Sequence, residues 1–389
     1  MTASESMQPE SGGTAAINTS PQVVTNFQRK VVCILGLPFD AVSMAQAQAE
    51  VSDAIRSQRR CFLSTPNLNF LMASQSDTDF RDSVIRSDLS VADGMPIIWM
   101  ARLLGLPLPE RVAGSTLFDR LRCQAALPIK VFFFGAPDGV AAKAGVVLNQ
   151  EQGRMTCVGA RSPGFGTIAE MSTPALIDEI NAAQPDFLVV ALGAKRGQAW
   201  IEHNLARLEV PVVSHLGAVV NFVAGSIEQA PEKLGRSGLE WLWRIKEEPE
   251  LWRRYRDDGV AFIRILITHV IPCAWFSMRA RSRQLANVMP VVSVAHGSDC
   301  NRITLEGDWH AGNLQPLRDV LTATAAYPRD VELDLSRVTG LDAATIGLLL
   351  LLFGYQSLIK RRLQVISVSE TVKYTLKMHR ADYLLVAAA

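Results

Sequence analysis

Ser64-Thr-Pro-Asn-Leu-Asn-Phe70, a helical run, Ala92-Asp-Gly-Met-Pro96, then Pro109-Glu-Arg-Val-Ala-Gly-Ser115: this stretch decides how the chain is read. Two turns rich in polar atoms bracket a helix. Each follows a short apolar run, Arg60–Ser64 before the first and Leu89–Ala92 before the second. Short strands that return through helices are the repeat of a parallel α/β sheet. In an open sheet of that kind the loops after the strands line the ligand crevice. Thr65, Asn67 and Asp93 therefore read as residues of one site.

The same alternation continues on both sides. Lys30–Gly36 reads as a buried strand and 42–58 as a helix rich in Ala and Gln. Residues 69–86 read as one helix and Pro96–Leu104 as another. Ile129–Gly135, Met155–Gly159, Asp186–Gly193 and Val210–Ser214 read as strands, separated by helices over 138–151, 173–183 and 196–207. Strands that are continuous Val, Ile, Leu and Phe runs predict a Rossmann-like, mostly parallel sheet with helices on both faces.

Composition narrows the class. The 389 residues suggest two or three domains, and 48% hydrophobic content supplies a real core. A net charge of +1 argues against a nucleic-acid binder. Cys33, Cys61, Cys123, Cys157, Cys273 and Cys300 are scattered, as in a protein with reduced thiols. Residues 1–28 are rich in Ser, Thr, Gly and Gln, carry no apolar signal segment, and are expected to be a disordered tail.

Residues 238–285 change character. Trp241, Trp243, Trp252 and Trp275 sit among Arg244, Arg253, Arg254, Arg256 and Arg264, and apolar residues from Phe262 to Ile271 recur at helical spacing. A basic, Trp-containing amphipathic helix suits an anionic membrane surface. The rival reading is a helix packed on the sheet domain with its arginines reaching water. Val260–Phe276 is interrupted by Arg264, His269 and Pro272, a poor membrane span. A small α/β domain then occupies 287–389. It has strands at Arg302–Glu306, Val331–Leu335 and Leu363–Val368 and helices at 312–326, 343–358 and 370–379. The sheet domain is bounded at 29–237.

The Thr-Pro-Asn turn, the Ala-Asp-Gly turn and the Glu-Arg-Val-x-Gly segment, in this order, resemble the WecG/TagA/CpsF glycosyltransferases. Gly238-Leu-Glu-Trp-Leu-Trp-Arg244, Glu248-Pro249 and Arg253-Arg-Tyr255 extend the resemblance over roughly residues 30–265. It implies an inverting glycosyltransferase that moves a sugar from a UDP-sugar donor to a polyprenyl-diphosphate-linked saccharide in bacterial cell-surface polysaccharide synthesis. Asp93 aligns with the family's proposed catalytic aspartate and would be the general base; Thr65 matches an active-site threonine. Asn67 offers an amide to a sugar hydroxyl. Arg111 meets a phosphate or carboxylate, or else forms a surface salt bridge. The family's appendage arginines hold the leaving diphosphate. Arg244 matches one, and Arg253, Arg254 and Arg256 are further candidates, with lipid headgroups as the rival partner.

On the donor side the chain departs from the family. Where Gly-x-Pro-Lys-Gln-Glu is usual, it has Gly193-Ala-Lys-Arg-Gly-Gln198, and Asn221 replaces an aspartate. Lys195, Arg196, Gln198 and Asn221 are candidate donor contacts. His215, near Asn221, is a further one. The six histidines form no metal spacing. Asp77-Thr78-Asp79 lies in a predicted helix, so no metal or other cofactor is expected, in keeping with a family regarded as metal-independent.

Glu332-Leu-Asp-Leu-Ser-Arg-Val-Thr-Gly-Leu-Asp-Ala-Ala-Thr-Ile-Gly-Leu-Leu349 resembles the STAS domain. That family often carries Asp-Ser-Ser-Gly where this chain has Asp342-Ala-Ala-Thr345, so the usual phospho-switch is absent. Asp342 reads as a helix cap; Thr345 reads as an ordinary helix residue, with a substitute phosphoacceptor as the rival. The STAS-like unit offers a surface for a protein partner. A regulatory or scaffold protein without turnover is the second functional reading, supported by the altered donor loop. The transferase reading places the chain in the cytoplasm, peripheral on the inner face of the cytoplasmic membrane.

Overall fold

The computed structural model describes residues 25–151, 153–225, 243, 246, 252–283 and 289–386. Twelve strands fall in three sheets among the described residues. β1 (Val31–Ile34) and β2 (Leu37–Asp40) form an antiparallel hairpin. β3 (Cys61–Ser64), β4 (Leu89–Ser90), β5 (Ile129–Gly135), β6 (Met155–Arg161), β7 (Phe187–Ala191) and β8 (Val212–His215) form an all-parallel sheet in the order β4-β3-β8-β7-β5-β6. β9 (Val291–His296), β10 (Cys300–Trp309), β11 (Asp330–Leu341) and β12 (Leu363–Val368) form the third, with only β9 antiparallel.

The six-stranded sheet is covered by helices on both faces, and β5 and β7 are accordingly apolar at nearly every position. Cys61, Leu63, Val131, Phe133, Val189 and Val212 face helices Met44–Arg56, Gly114–Gln124, Val140–Gln150 and Gly217–Val223. Phe62, Phe132, Phe134, Leu188 and Val190 face helices Pro174–Ala182 and Ala194–Asn204. The predicted Rossmann-like architecture stands, with local differences. Lys30–Gly36 is buried and extended over Val31–Ile34, but turns through Leu35 (φ 46°) and Gly36 (φ 87°) into the hairpin rather than joining the parallel sheet. The helix expected over 69–86 is two, Leu68–Ala73 and Thr78–Ile85, because Asp77 leaves the helical region and caps the second through Phe80 N–H at 3.0 Å.

Helix Ala343–Leu358 sits at the centre of a third core. It is apolar all round, and 13 of its 16 residues are buried, so it needs protein on every side. One side packs on its own sheet, through Leu333, Leu335 and Ile303. Its other side meets the β1–β2 hairpin and helix Thr78–Ile85. The N-terminal sheet unit and the C-terminal unit thus share one apolar core. Asp342 caps the helix, accepting from Thr345 N–H at 2.8 Å. Thr345 is fully buried, its hydroxyl 3.0 Å from the Trp309 carbonyl, which fits the structural reading of this residue.

Two glycines set the approach distance. A β-carbon at Gly347 would lie 3.1 Å from the Val31 carbonyl oxygen, and one at Gly354 would lie 2.9 Å from that of Ile85. Gly354→Leu forces backbone apart across this joint. We expect it to destabilise the protein by about 1–3 kcal/mol, the usual range for overpacking, read as a lower urea midpoint; an unchanged midpoint would contradict the close approach.

Candidate functional site

The loops that leave β3 and β4 are joined by backbone bonds. Val91 N–H donates to Ser64 O at 3.0 Å, Asp93 N–H to Pro66 O at 3.0 Å, and Val112 N–H to Ala92 O at 2.9 Å. These three bonds bring Thr65, Asn67, Asp93 and Arg111 to one place at the carboxyl edge of the sheet. The Asp93 carboxylate accepts from Gly114 N–H at 3.3 Å and lies 3.6 Å from the Arg111 guanidinium. Its side chain is 25% exposed and that of Arg111 17%. Arg111 is thus a partly buried partner of Asp93. Asn67 accepts from Asn69 and Phe70 N–H at 3.0 and 3.2 Å, capping its helix and leaving the amide nitrogen as the group with donor capacity.

Gly114 is a site residue that sequence reasoning missed as such. A β-carbon there would sit 2.5 Å from Leu216 Cδ2 and 3.1 Å from Thr65 Cγ2. Only glycine lets this helix start close enough to touch both Thr65 and Asp93. The signal was the glycine closing Glu-Arg-Val-x-Gly.

The next two strands carry the donor-side residues. Gln198 is buried and donates to Ser64 Oγ at 2.8 Å, holding the residue before Thr65, so it acts on the loop from inside. Lys195 pairs with Asp77 at 2.9 Å, and Arg196 donates to Gly166 O at 2.5 Å on the loop after β6. Asn221 lies half-buried on helix Gly217–Val223. His215 ends β8, its Nδ1 3.0 Å from Val190 O, and it presses on Gly197, where any β-carbon would collide with the ring. Glycine at 197 and histidine at 215 are one packing solution. Asp77 serves as helix cap and as partner of Lys195. Among the described residues no group of three or more His, Cys, Asp or Glu converges as a metal site.

Helices that follow β4, β5, β7 and β8 begin at Gly94, Gly139, Gly193 and Leu216 without a side-chain cap. Their first N–H groups open on the same edge as Asp93, the arrangement that binds phosphate.

Helix Trp252–Ile265, a π turn over Leu266–Val270 and helix Ile271–Arg283 run on continuously. The apolar repeat proves to be two stripes. Phe262, Leu266 and Val270 turn to the shared core, whereas Ile263, Ile267, Ile271, Trp275 and Met278 are exposed. By length and composition Arg256–Arg279 could cross a membrane, which the polar interruptions obscured. One face, however, is committed to the protein core. Arg256 lies 5.1 Å from the Trp252 ring and pairs with Asp257 at 2.8 Å; Arg253 lies 6.0 Å from the same ring. These contacts place both arginines along the outer helix. Arg254 lies on the same helix, and Arg244 falls outside the described residues.

The fold and this edge define an α/β protein with a carboxylate among the loops at the carboxyl ends of its parallel strands. Residues 32–272 match the model of the glycosyl transferase WecG/TagA/CpsF family, and residues 292–386 match a STAS domain model. An N-acetylglucosaminyldiphosphoundecaprenol N-acetyl-beta-D-mannosaminyltransferase of Bacillus spizizenii is 27% identical over 194 residues, 50% of this chain and 74% of that protein. One of the same name from Staphylococcus aureus is 24% identical over 226 residues, 57% of this chain and 86% of that protein. The chain belongs to the WecG/TagA/CpsF family of glycosyltransferases and carries a STAS domain at its C-terminal side.

Burial holds His215 down at about 4 and His379 likewise at about 4, so both rings are neutral in the folded protein at pH 7. Below pH 6.5 the unfolded chain takes up protons that the folded chain does not. Stability therefore falls as the pH drops from about 6.5 to about 4, by up to about 1.4 kcal/mol per pH unit for each ring. Urea midpoints between pH 7 and pH 4.5 should show this decline, and His379→Gln should flatten it; an equal slope in the variant would contradict the assignment.

Proposed function

We propose that the protein is an inverting, metal-independent glycosyltransferase that moves a hexosyl group from a UDP-sugar to a polyprenyl-diphosphate-linked saccharide, with Asp93 as general base. One observation carries this reading: the Asp93 carboxylate, oriented by Gly114 N–H and Arg111, stands at the edge onto which four uncapped helix N-termini open. Inversion requires a base on the acceptor side and stabilisation of a departing diphosphate on the other. Asp93 accepts the proton of the acceptor hydroxyl as its oxygen attacks the anomeric carbon. The bond to the UDP oxygen breaks, and backbone amides with arginines of the appendage receive the diphosphate charge. Thr65 and the Asn67 amide orient the sugars. Lys195, Arg196 and Asn221 lie on the donor side, and Gln198 supports Thr65 through Ser64.

The relatives' names specify a mannosaminyl group and an undecaprenol-linked acceptor. Both the lipid class and a hexosamine donor are carried to this chain as part of the proposal. A lipid-linked acceptor requires a protein that reaches the bilayer surface. The stripe from Ile263 to Met278, with Trp275 and the flanking Arg256 and Arg279, has the composition of an interfacial helix. The protein then works in the cytoplasm on the inner face of the membrane, with the STAS unit free to meet a protein partner.

UDP release is measured with a panel of UDP-sugars and a polyprenyl-diphosphate saccharide, in the presence of EDTA. Wild type is expected to release UDP with one donor. Asp93→Asn should fall by about 10²–10⁴-fold, the usual size of a general-base term, while still binding UDP. UDP binding without turnover in the wild type would favour the scaffold reading. Separately, Ile263→Glu with Ile267→Glu places two charges on exposed positions. Sedimentation with phosphatidylglycerol vesicles should drop several-fold at unchanged thermal midpoint; unchanged sedimentation would remove the stripe from the membrane contact.

A further inference from the structure

A cleft of about 780 Å³ lies away from Asp93, between the Leu104–Pro107 loop, helix Ile271–Arg283 and the C-terminal unit. Its walls include Leu104, Leu106, Trp275, Phe276, Ala343 and Ala344. Three parts of the chain that are remote in sequence meet there, and no role in the transfer chemistry falls to it.

A helix with an apolar stripe runs from the site towards the cleft. Helix Met95–Leu103 starts beside Asp93 and ends at the loop that walls the cleft. Met95, Trp99 and Leu103 recur at i, i+4 and i+8 and form one stripe along it. Trp99 is 39% exposed and Leu103 52%, unusual for large apolar groups on a helix otherwise packed into the core. Eight residues of helix cover about 12 Å. The Trp99 ring lies 6.0 Å from Phe262, so the stripe runs beside the appendage helix. Trp275 is both a cleft wall and a member of the appendage's own exposed stripe.

We propose that this stripe and cleft hold the isoprenoid chain of the lipid-linked acceptor, drawing it out of the bilayer while its diphosphate saccharide stands at Asp93. The inference rests on the transferase reading above. The occupant is a hydrocarbon chain whose saccharide end is at Asp93, because the apolar stripe begins two residues beyond Asp93 and ends at Leu103, next to the cleft wall Leu104. Asp308 and Asp342 line the cleft and disfavour a phosphate inside it. Arg279, the cation of the lining, is stacked 4.1 Å over Trp275 at the membrane side. A phospholipid acyl chain would explain the cleft but not a stripe that leads to the catalytic carboxylate.

The test uses the full chain and two readouts. First, KM is measured for acceptors that share one diphosphate saccharide but carry either a two-isoprene or an eleven-isoprene chain. Thr371→Trp and Thr339→Trp narrow the cleft from exposed positions on its rim. Each should raise KM for the long acceptor at least fivefold, leaving KM for the short acceptor and for the donor unchanged. Equal changes for both acceptors, or none, would overturn the proposal. Second, a benzophenone-bearing polyprenyl monophosphate is photocrosslinked and mapped by mass spectrometry. Capture at 104–107 or 275–279 that is competed by polyprenyl phosphate and not by phosphatidylglycerol supports the chain site. Capture elsewhere, or equal competition by phosphatidylglycerol, sinks it. Crosslinking at the cleft in a protein that transfers no sugar from any donor would defeat the transferase reading instead.

Discussion

The buried ion pair between Arg29 and Asp40 fixes the edge on which the site is built. Its atoms are 2.6 Å apart and its side chains 9% and 3% exposed. Two charges out of water are costly unless their remaining hydrogen-bonding capacity is met. Here it is met by the neighbouring strand: Asp40 accepts from Ser90 N–H at 2.7 Å, and Arg29 donates to Ser87 O at 2.9 Å. Ser90 Oγ also donates to Pro38 O at 2.8 Å. β4 is only two residues long and lies at the sheet's edge, where pairing on one side alone would hold it weakly. The hairpin covers the other side, and Asp93 leaves β4 three residues beyond Ser90. The position of the proposed base therefore depends on a hairpin that belongs to neither large sheet.

That hairpin in turn depends on the C-terminal unit. Arg318 donates to Arg29 O at 2.6 Å, and Tyr383 donates to Gly36 O at 2.6 Å. Gly36 adopts φ 87° beneath the Arg380 carbonyl, with no room for a β-carbon. Helix Ala343–Leu358 fills the remaining gap. Removing the C-terminal unit would expose Val31, Cys33 and Ile34 of β1, which share its core, so the STAS domain serves the site mechanically whatever partner it meets.

Much of this was legible because it is local. Ile129–Gly135 and Phe187–Ala191 are apolar at nearly every position, which only a sheet covered on both faces explains. Thr65, Asn67 and Asp93 could be grouped because they follow strands that became neighbours. Asp342 could be read as a cap from its place before an apolar run. What escaped is non-local. The hairpin was hidden because Lys30–Gly36 has the same composition as a parallel strand, and its partner contains Pro38. Gly114 declares its role only when Leu216 and Thr65 are beside it. Gln198 differs from the family's usual glutamate, but its use, a bond to Ser64, required β3 and β7 to be adjacent through β8. The apolar repeat of 262–271 placed two columns side by side, and no single-sequence pattern says which column faces protein.

The two columns give the C-terminal unit a geometric consequence. The family match ends at 272 and the STAS match begins at 292, so helix Ile271–Arg283 lies largely between them. It is held by the later unit: Phe276 stacks edge-on against Tyr374 at 5.1 Å, and Cys273 lies 3.8 Å from His379 Nε2. Val270 and Cys273 are fully buried against that core, while Ile267, Ile271 and Trp275, one helical step away, are more than half exposed. An exposed apolar stripe this long marks a contact surface for a protein or a membrane. Its inner face packs on the core that also holds the hairpin, so the stripe and the strand before Asp93 are tied through one core. With the stripe on a bilayer, as proposed, the height of the carboxylate above the lipid is set by protein packing and not by a tether, which suits the proposed transfer to a lipid-linked hydroxyl.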